Sequence, residues 1–295
     1  MNTAVLPTGY VTEQVIPGIT RLADPFGTLR DVLLVGTTGA ESLRYFRENV
    51  FTNAAAFVAE STDFTGASGT KPQSNISFTS ATADVGTLAH FIPITNQLEW
   101  VAPELRSYID GRLFDGLQLK EDQMLLTGDG IGENPLGIMV TPGIQVLDAA
   151  HFSTTPTQNA GTDAAPFDRI ARARRKIIDV GRARPNFIVL NPADDEVFQT
   201  LADANGHYYG GGPFTGGQPT SFWGLTRIVN ENITAGTALV GDGRQAQIWD
   251  RMTARITVGL VNDQFIRNQK TLLAEKRVGL AVYRPAAFAT VALYA

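Results

Sequence analysis

The chain has 295 residues, 43% apolar and 18% charged, so it can bury a substantial core and is not globally disordered. Its 24 basic and 29 acidic residues leave a formal net charge of −5, which argues against a surface devoted to nucleic acid. Cysteine is absent, which excludes disulfides, thiolate metal sites and cysteine nucleophiles.

The N-terminus, MNTAVLPTGYVTEQVIPG, has no basic leader followed by an apolar stretch, and no run of about 18 apolar residues occurs anywhere. The expectation is a soluble cytosolic protein. Residues 1 to 30 are rich in Pro, Gly and Thr and read as an extended arm that packs on other chains. Residues 31 to 50 read as a short strand and then a turn or strand. FTNAAAFVAE and ISFTSATADVGTLAHFIPIT alternate apolar and polar residues as strands do, around the small, polar stretch at 59 to 75. Together they predict a projecting hairpin with little core of its own, which must lean on something else.

Pro103 suits the first position of a helix, and Leu105, Ile109, Leu113 and Leu117 then recur every fourth residue. The helix is expected to reach about Leu126, a rod of roughly 36 Å. Gly111 and Gly116 weaken it and point to close packing. LTGDGIGENPLGI follows. It lacks the GxxxxGK pattern of a phosphate-binding loop, and a helix, not a strand, feeds it, so it reads as a helix stop.

Residues 145 to 165 read as a surface excursion, and 166 to 181 as a second helix with Arg172, Arg174, Arg175 and Lys176 clustered on it. That cluster is a solvated face, a contact to DNA or a contact to another subunit, and the sequence does not choose. FIVLNPADDEVFQTL reads as strand, turn and helix. Asp194, Asp195 and Glu196 there complement the helix dipole in preference to catalysis. GHYYGGGPFTGGQPTSFWG is a glycine-rich, aromatic-rich loop. From 225 onward the pattern is strands: LTRIVN, TALVGD, QAQIWD, ARITVGL, TLLAEKRVGLAVYR and AFATVALYA. His90, His151 and His207 are far apart and have no carboxylates at metal-ligand spacing. No serine sits in a GxSxG elbow. No cofactor or metal is expected.

LQLKEDQMLLTGDGIGENPLGIM resembles the major capsid proteins of tailed double-stranded-DNA bacteriophages, the Hong Kong 97-type capsid fold. IPGITRL, FRENVFTNAAAFVAE, IVLNPADDEVFQTLADANGHYYGGGPF, FWGLTRIV, QIWDRMTARITV and RVGLAVYRPAAF follow the same family's order, from about residue 15 to the end. The resemblance implies an α+β fold with an N-terminal arm (1–35) and an extended loop (51–82). It implies a peripheral domain with a long spine helix (36–50, 83–135 and 245–278) and an axial domain (136–244 and 279–295). The loop at 206 to 217 is an ordinary surface loop by composition; by resemblance it lies near the capsomer centre.

The resemblance further implies a structural protein, not an enzyme, that self-assembles into hexamers and pentamers of an icosahedral head. The head encloses double-stranded DNA without sequence-specific binding. The implied partners are a scaffolding protein, a portal and a decoration protein, with no membrane. The implied location is the virion, assembled in the bacterial host cytoplasm. Some members of the family join subunits by an isopeptide bond, and the residues of that bond have matches here. Lys71, in GTKPQSN, matches the lysine, Asn268, in FIRNQKT, the asparagine, and Glu275, in LLAEKRV, the glutamate that moves the protons. A lysine nucleophile, a carboxamide carbon and a carboxylate base are the groups such a linkage needs. Asn268 and Glu275 are seven apart. On one straight strand they would face opposite ways, roughly 23 Å apart at about 3.3 Å per residue, so one site would draw them from different subunits. A bend between them would remove that inference. An encapsulin-type compartment shell is the nearest alternative, and a nucleotide-dependent enzyme built on 126 to 138 a remote one.

Overall fold

The computed structural model describes residues 27–60, 69–97, 103–148, 166–201 and 221–294. The arm before residue 27, His151, His207 and the glycine-rich loop at 206 to 217 lie outside them. Three sheets organise the described chain. The first has four strands in the order β1 (Leu34–Thr37), β10 (Ala246–Gly259), β11 (Gln269–Val282) and β4 (Gly86–Thr95). The second has six, in the order β5 (Gln145–Leu147), β12 (Phe288–Ala292), β9 (Thr237–Gly241), β6 (Phe187–Leu190), β8 (Leu225–Val229) and β7 (Ser221–Phe222). The third is the hairpin of β2 (Ser42–Thr52) and β3 (Asn75–Asp84).

The expected long helix is α1, Pro103–Thr127. Leu113 and Leu117, two of its every-fourth-residue positions, are buried against Leu272, Ala274 and Ile94 of the four-stranded sheet. The glycine at 116 has a defined reason. A Cβ there would lie 2.7 Å from Cε1 of His90, whose Nε2 is 2.7 Å from the Leu113 carbonyl. His90 is therefore a packing residue that ties β4 to α1. Three other segments differ from expectation. FTNAAAFVAE, expected as a strand, is strand only at Phe51 and Thr52, the end of β2. ISFTSATADVGTLAHFIPIT divides at Val85 into β3 and β4, which belong to different sheets. QAQIWD and ARITVGL, expected as separate strands, form the single strand β10, with register irregularities between Asp250 and Arg255.

The loop after α1 is structural. Asp129 bridges to Leu136, and its Oδ1 accepts from the Ile131 amide at 3.1 Å and from Asn134 Nδ2 at 2.9 Å. The helices α2 (Pro166–Asp179) and α3 (Pro192–Thr200) cover the six-stranded sheet, with Ile170, Ala173, Ile177 and Phe198 in its core. Asn191 caps α3, accepting from the Ala193 amide at 3.0 Å. The acidic residues behind it have tertiary partners: Asp194 accepts the Gly236 amide, and Asp195 pairs with Arg227 at 3.1 Å.

A buried ion cluster closes the junction of α1 with the four-stranded sheet. Glu121 and Asp122 are 4% and 5% exposed. Arg30 binds Glu121 Oε1 at 2.5 Å and both oxygens of Asp250 at 2.7 and 2.8 Å, and Lys276 also binds Glu121. Asp122 instead accepts the Leu29 amide at 3.2 Å. Burial, reinforced by the charges of Glu121 and Asp31, pushes its carboxyl up to about 7, against the lowering effect of that amide and of Arg30.

Glu121→Gln removes one carboxylate partner from Arg30, which keeps Asp250, and the near partner from Lys276, and is expected to cost about 3 kcal/mol in urea unfolding. Asp122 has a folded pKa above its unfolded value, so the folded state holds a proton that the unfolded chain releases. Its contribution is full below pH of about 4 and is lost as pH rises through about 7. Asp122→Asn is expected to flatten the decline of Tm between pH 5 and 8 and to be the more stable chain at pH 8. An unchanged slope in the variant would show that Asp122 does not titrate in this window.

Candidate functional site

The hairpin presents two unlike faces. On one, Leu43, Tyr45 and Arg47 turn toward the body of the protein. Tyr45 stacks edge-on with Tyr283 at 5.3 Å between ring centroids, and Arg47 Nε donates to the Val282 carbonyl at 2.9 Å. The other face is exposed, apart from Glu48, whose carboxylate lies 4.0 Å from Arg284. Phe46 pairs opposite Ser80 and Glu48 opposite Phe78; then a bulge at Asn49 shifts the phase, and Phe51 pairs opposite Ile76. Residues opposite one another in an antiparallel pair share a face, and β3 alternates regularly through 76, 78 and 80. Phe46, Phe78, Phe51 and Ile76 therefore form one apolar stripe, with exposures of 69%, 63%, 58% and 48%.

The three residues named for a covalent link are widely distributed. Lys71 is exposed near the tip of the hairpin. Asn268 is exposed, immediately before β11, and its carbonyl accepts the Asn96 amide at 2.8 Å. Glu275 lies within β11, paired with Arg255 at 3.4 Å. Among the described contacts these three make no hydrogen bond or ion pair with one another. β11 pairs with β4 without a register shift from Gln269 to Val278, so no bulge folds Glu275 back toward Asn268. Six residues of strand at about 3.3 Å each hold Gln269 and Glu275 about 20 Å apart. The regular ladder gives Gln269 and Glu275 the spacing of a straight strand. The expectation of opposite facing does not carry over, because Asn268 stands outside the strand with φ of 52°.

What lies between them is not legible from residue pattern. Leu272 and Ala274 face α1, so Thr271, Leu273 and Glu275 alternate onto the other face of the sheet. There, a cavity of about 660 Å³ is lined by Phe91, Pro93, Val261 and Leu273, with Asp263 and Arg267 among its polar groups. Arg267 and Gln269 of its lining flank Asn268 directly. Among the described residues no group of three or more His, Asp or Glu is placed to hold a metal ion.

Asn268 tolerates the left-handed backbone better than most residues, whereas a β-branched residue is strained there. Asn268→Gly is expected to leave thermal stability within a degree or two of the parent. Asn268→Val is expected to lower it by about 1–2 kcal/mol. Equal stabilities for the two would mean that the left-handed conformation at 268 is not maintained in solution.

The comparisons with known proteins agree with one another. A model of the phage capsid family matches residues 8–293. The major capsid protein of Enterobacteria phage HK97 is 39% identical over 277 residues, covering 92% of this chain; the chain spans 65% of that relative's length. A solved structure from Microbacterium phage Oxtober96 superposes with a TM-score of 0.75 at 16% identity, covering 94% of both chains. The capsid of a native GTA particle superposes with a TM-score of 0.74 at 18% identity, covering 98% of both.

Proposed function

The chain belongs to the phage capsid family and has the Hong Kong 97-type capsid fold, and from that premise we propose that it is the major capsid protein of a phage head. Copies assemble into the hexamers and pentamers of an icosahedral shell around double-stranded DNA, in the virion. A scaffolding protein, a portal and a decoration protein are its partners in that assembly. The observation that carries the reading is the bare stripe of Phe46, Phe78, Phe51 and Ile76. A two-stranded hairpin with one uncovered apolar face is marginal in water and gains stability only against a second surface. In a closed shell every copy supplies that surface to a neighbour. The four-stranded sheet with α1 supports a peripheral domain at 36–50, 83–135 and 245–278. The six-stranded sheet supports an axial domain at 136–244 and 279–295, with the arm at 1–35 and the extended loop at 51–82.

The same proposal includes a covalent link between copies. Nζ of Lys71 attacks Cγ of Asn268 on a neighbouring subunit. The new N–C bond replaces the bond to the amide nitrogen, which leaves as ammonia. Glu275 takes the proton from the attacking amine and returns it to the departing nitrogen. The 20 Å or so of regular strand between Gln269 and Glu275 supports a site that takes Asn268 and Glu275 from different subunits. Such a site is complete only after assembly, so linkage cannot precede the shell. The chain itself is a structural component, and this reaction is performed once per site.

Assembled particles, boiled and run on a denaturing gel, are expected to give a ladder above the 31.8 kDa chain. Lys71→Ala and Glu275→Gln are expected to give the single-chain band from particles of normal appearance. A single-chain band from the parent particles would remove the covalent link and leave the shell. Failure of the purified chain to form particles with or without its scaffold would remove the shell itself.

A further inference from the structure

The foot of the hairpin borders a groove that has no part in the linkage chemistry. It measures about 940 Å³ and lies between β2 and the body of the protein. Arg47 and Glu48 line it from β2, Arg182 from the stretch after α2, and Arg284 from the turn before β12. These are its charged residues. Three arginines and one glutamate leave two positive charges in excess, on a chain whose formal net charge is −5.

The three arginines are held differently. Arg47 is fixed through Nε to the Val282 carbonyl and through Nη2 to the Tyr45 hydroxyl, both at 2.9 Å, and Nη1 remains for a ligand. Arg284 Nη1 donates to the Gly181 carbonyl at 3.2 Å, which satisfies an acceptor just past the end of α2 that would otherwise repel an anion. Its Nη2 stands 4.0 Å from Glu48, too far for a hydrogen bond. Arg182 is exposed, and its side chain has no partner among the described residues. Its backbone is left-handed, with φ of 49°. Glycine is the usual residue in that conformation past a helix end, and another residue there carries strain of the kind that gathers at binding sites. The position is also firm. A Cβ on Gly181 would collide with the Ala286 carbonyl, so the end of α2 is pressed against the 285–287 turn, and Arg182 leaves from a fixed point.

We infer that this groove is a phosphate site, in which Arg182, Arg284 and Arg47 bind the oxygens of one phosphate dianion or of two neighbouring phosphodiester groups. Guanidinium forks match phosphate oxygens in shape and charge. The excess of two positive charges equals the charge of about −2 on such a ligand. A single carboxylate supplies half of that, and the groove already contains one in Glu48. Asn53 and Thr79, which pairs opposite Arg47 in the ladder, add neutral donors. A bound phosphate joins β2 to the end of α2 and so fixes the hairpin against the body. All of these groups come from one chain, so the inference does not rest on the shell or on the covalent link. Free phosphate and the backbone of nucleic acid present the same group, and the test separates them.

The purified full-length chain is titrated in a calorimeter at fixed ionic strength with inorganic phosphate, a short DNA duplex and a hexaglutamate peptide in turn. Phosphate is expected to bind, and Arg182→Gly to raise its Kd about tenfold or more. Arg174→Gln, exposed on α2 and outside the groove, is expected to leave the Kd unchanged. Glycine also relieves the left-handed backbone, so Arg182→Gly is expected not to lower Tm. Binding lost without stability lost is what a merely structural role would not produce. If Arg182→Gly does not fold, Arg182→Gln replaces it, with the same readout. A duplex affinity that falls with Arg182→Gly assigns the site to a nucleic-acid backbone; one that holds while phosphate binding falls assigns it to free phosphate. No phosphate binding, an Arg182→Gly chain that binds like the parent, or an equal loss in Arg174→Gln would overturn the site. Hexaglutamate bound through Arg182 more tightly than phosphate would overturn it in favour of an acidic protein segment.

Discussion

Glu121 occupies the place where the helix would otherwise put another leucine. Leu113, Leu117 and Leu125 mark one row along α1, four residues apart, and position 121 falls in that row. A carboxylate there is buried only because Arg30 and Lys276 reach it and Asp250 shares the load of Arg30. Removing two cations and two anions from water is costly, and the cluster stands because each member is paired. It joins four separate stretches of chain: the end of the arm, the last third of the long helix, and both long strands of the four-stranded sheet. An apolar residue at 121 would pack the helix. It would not specify which strand or which turn of the arm the helix meets.

That junction lets one pair of strands serve both halves of the described chain. β10 and β11 contribute Ala246, Ile248, Val278, Leu280 and Val282 to the large core shared with the six-stranded sheet. Farther along, β11 contributes Leu272 and Ala274 to the smaller core beneath α1. The ribbon is therefore clamped near one end by the large core and along one face by the helix. Its distal end and its outer face carry the cavity, Asn268 and Glu275. That strand is regular and holds Gln269 and Glu275 about 20 Å apart.

The hairpin is the complement of this arrangement. Its inner face is tied to the body through Tyr45 and Arg47, and on its outer face Phe46, Phe78, Phe51 and Ile76 stay exposed while Glu48 reaches Arg284 at 4.0 Å. The proposed linkage is open in the same way: among the described contacts lysine, asparagine and glutamate do not meet one another, and on that proposal stability and linkage depend on the same event, the approach of another copy.

The helix α1 was legible because apolar residues every fourth position have one structural meaning, and the observed ends agree with the proline at 103 and the glycines after 126. A projecting hairpin around a polar tip was legible, but not its first strand, which is Ser42–Thr52 and not FTNAAAFVAE; the motif order pointed to the capsid family before any coordinates. Lys71, Asn268 and Glu275 were nameable by resemblance, residue by residue. The bare stripe was not, because Phe46 and Phe51 are an odd number of residues apart and simple alternation puts them on opposite faces. Only the bulge at Asn49, a register property of two paired strands, brings them together. The burial of Glu121, the division at Val85 and the cavity beside Asn268 were hidden for the same reason. Local pattern determines what each segment is, since helix and strand periods are properties of neighbouring residues. Which faces meet, which charges pair and which surfaces stay open are decided by contacts between residues far apart in the chain, and these exist only in the folded protein.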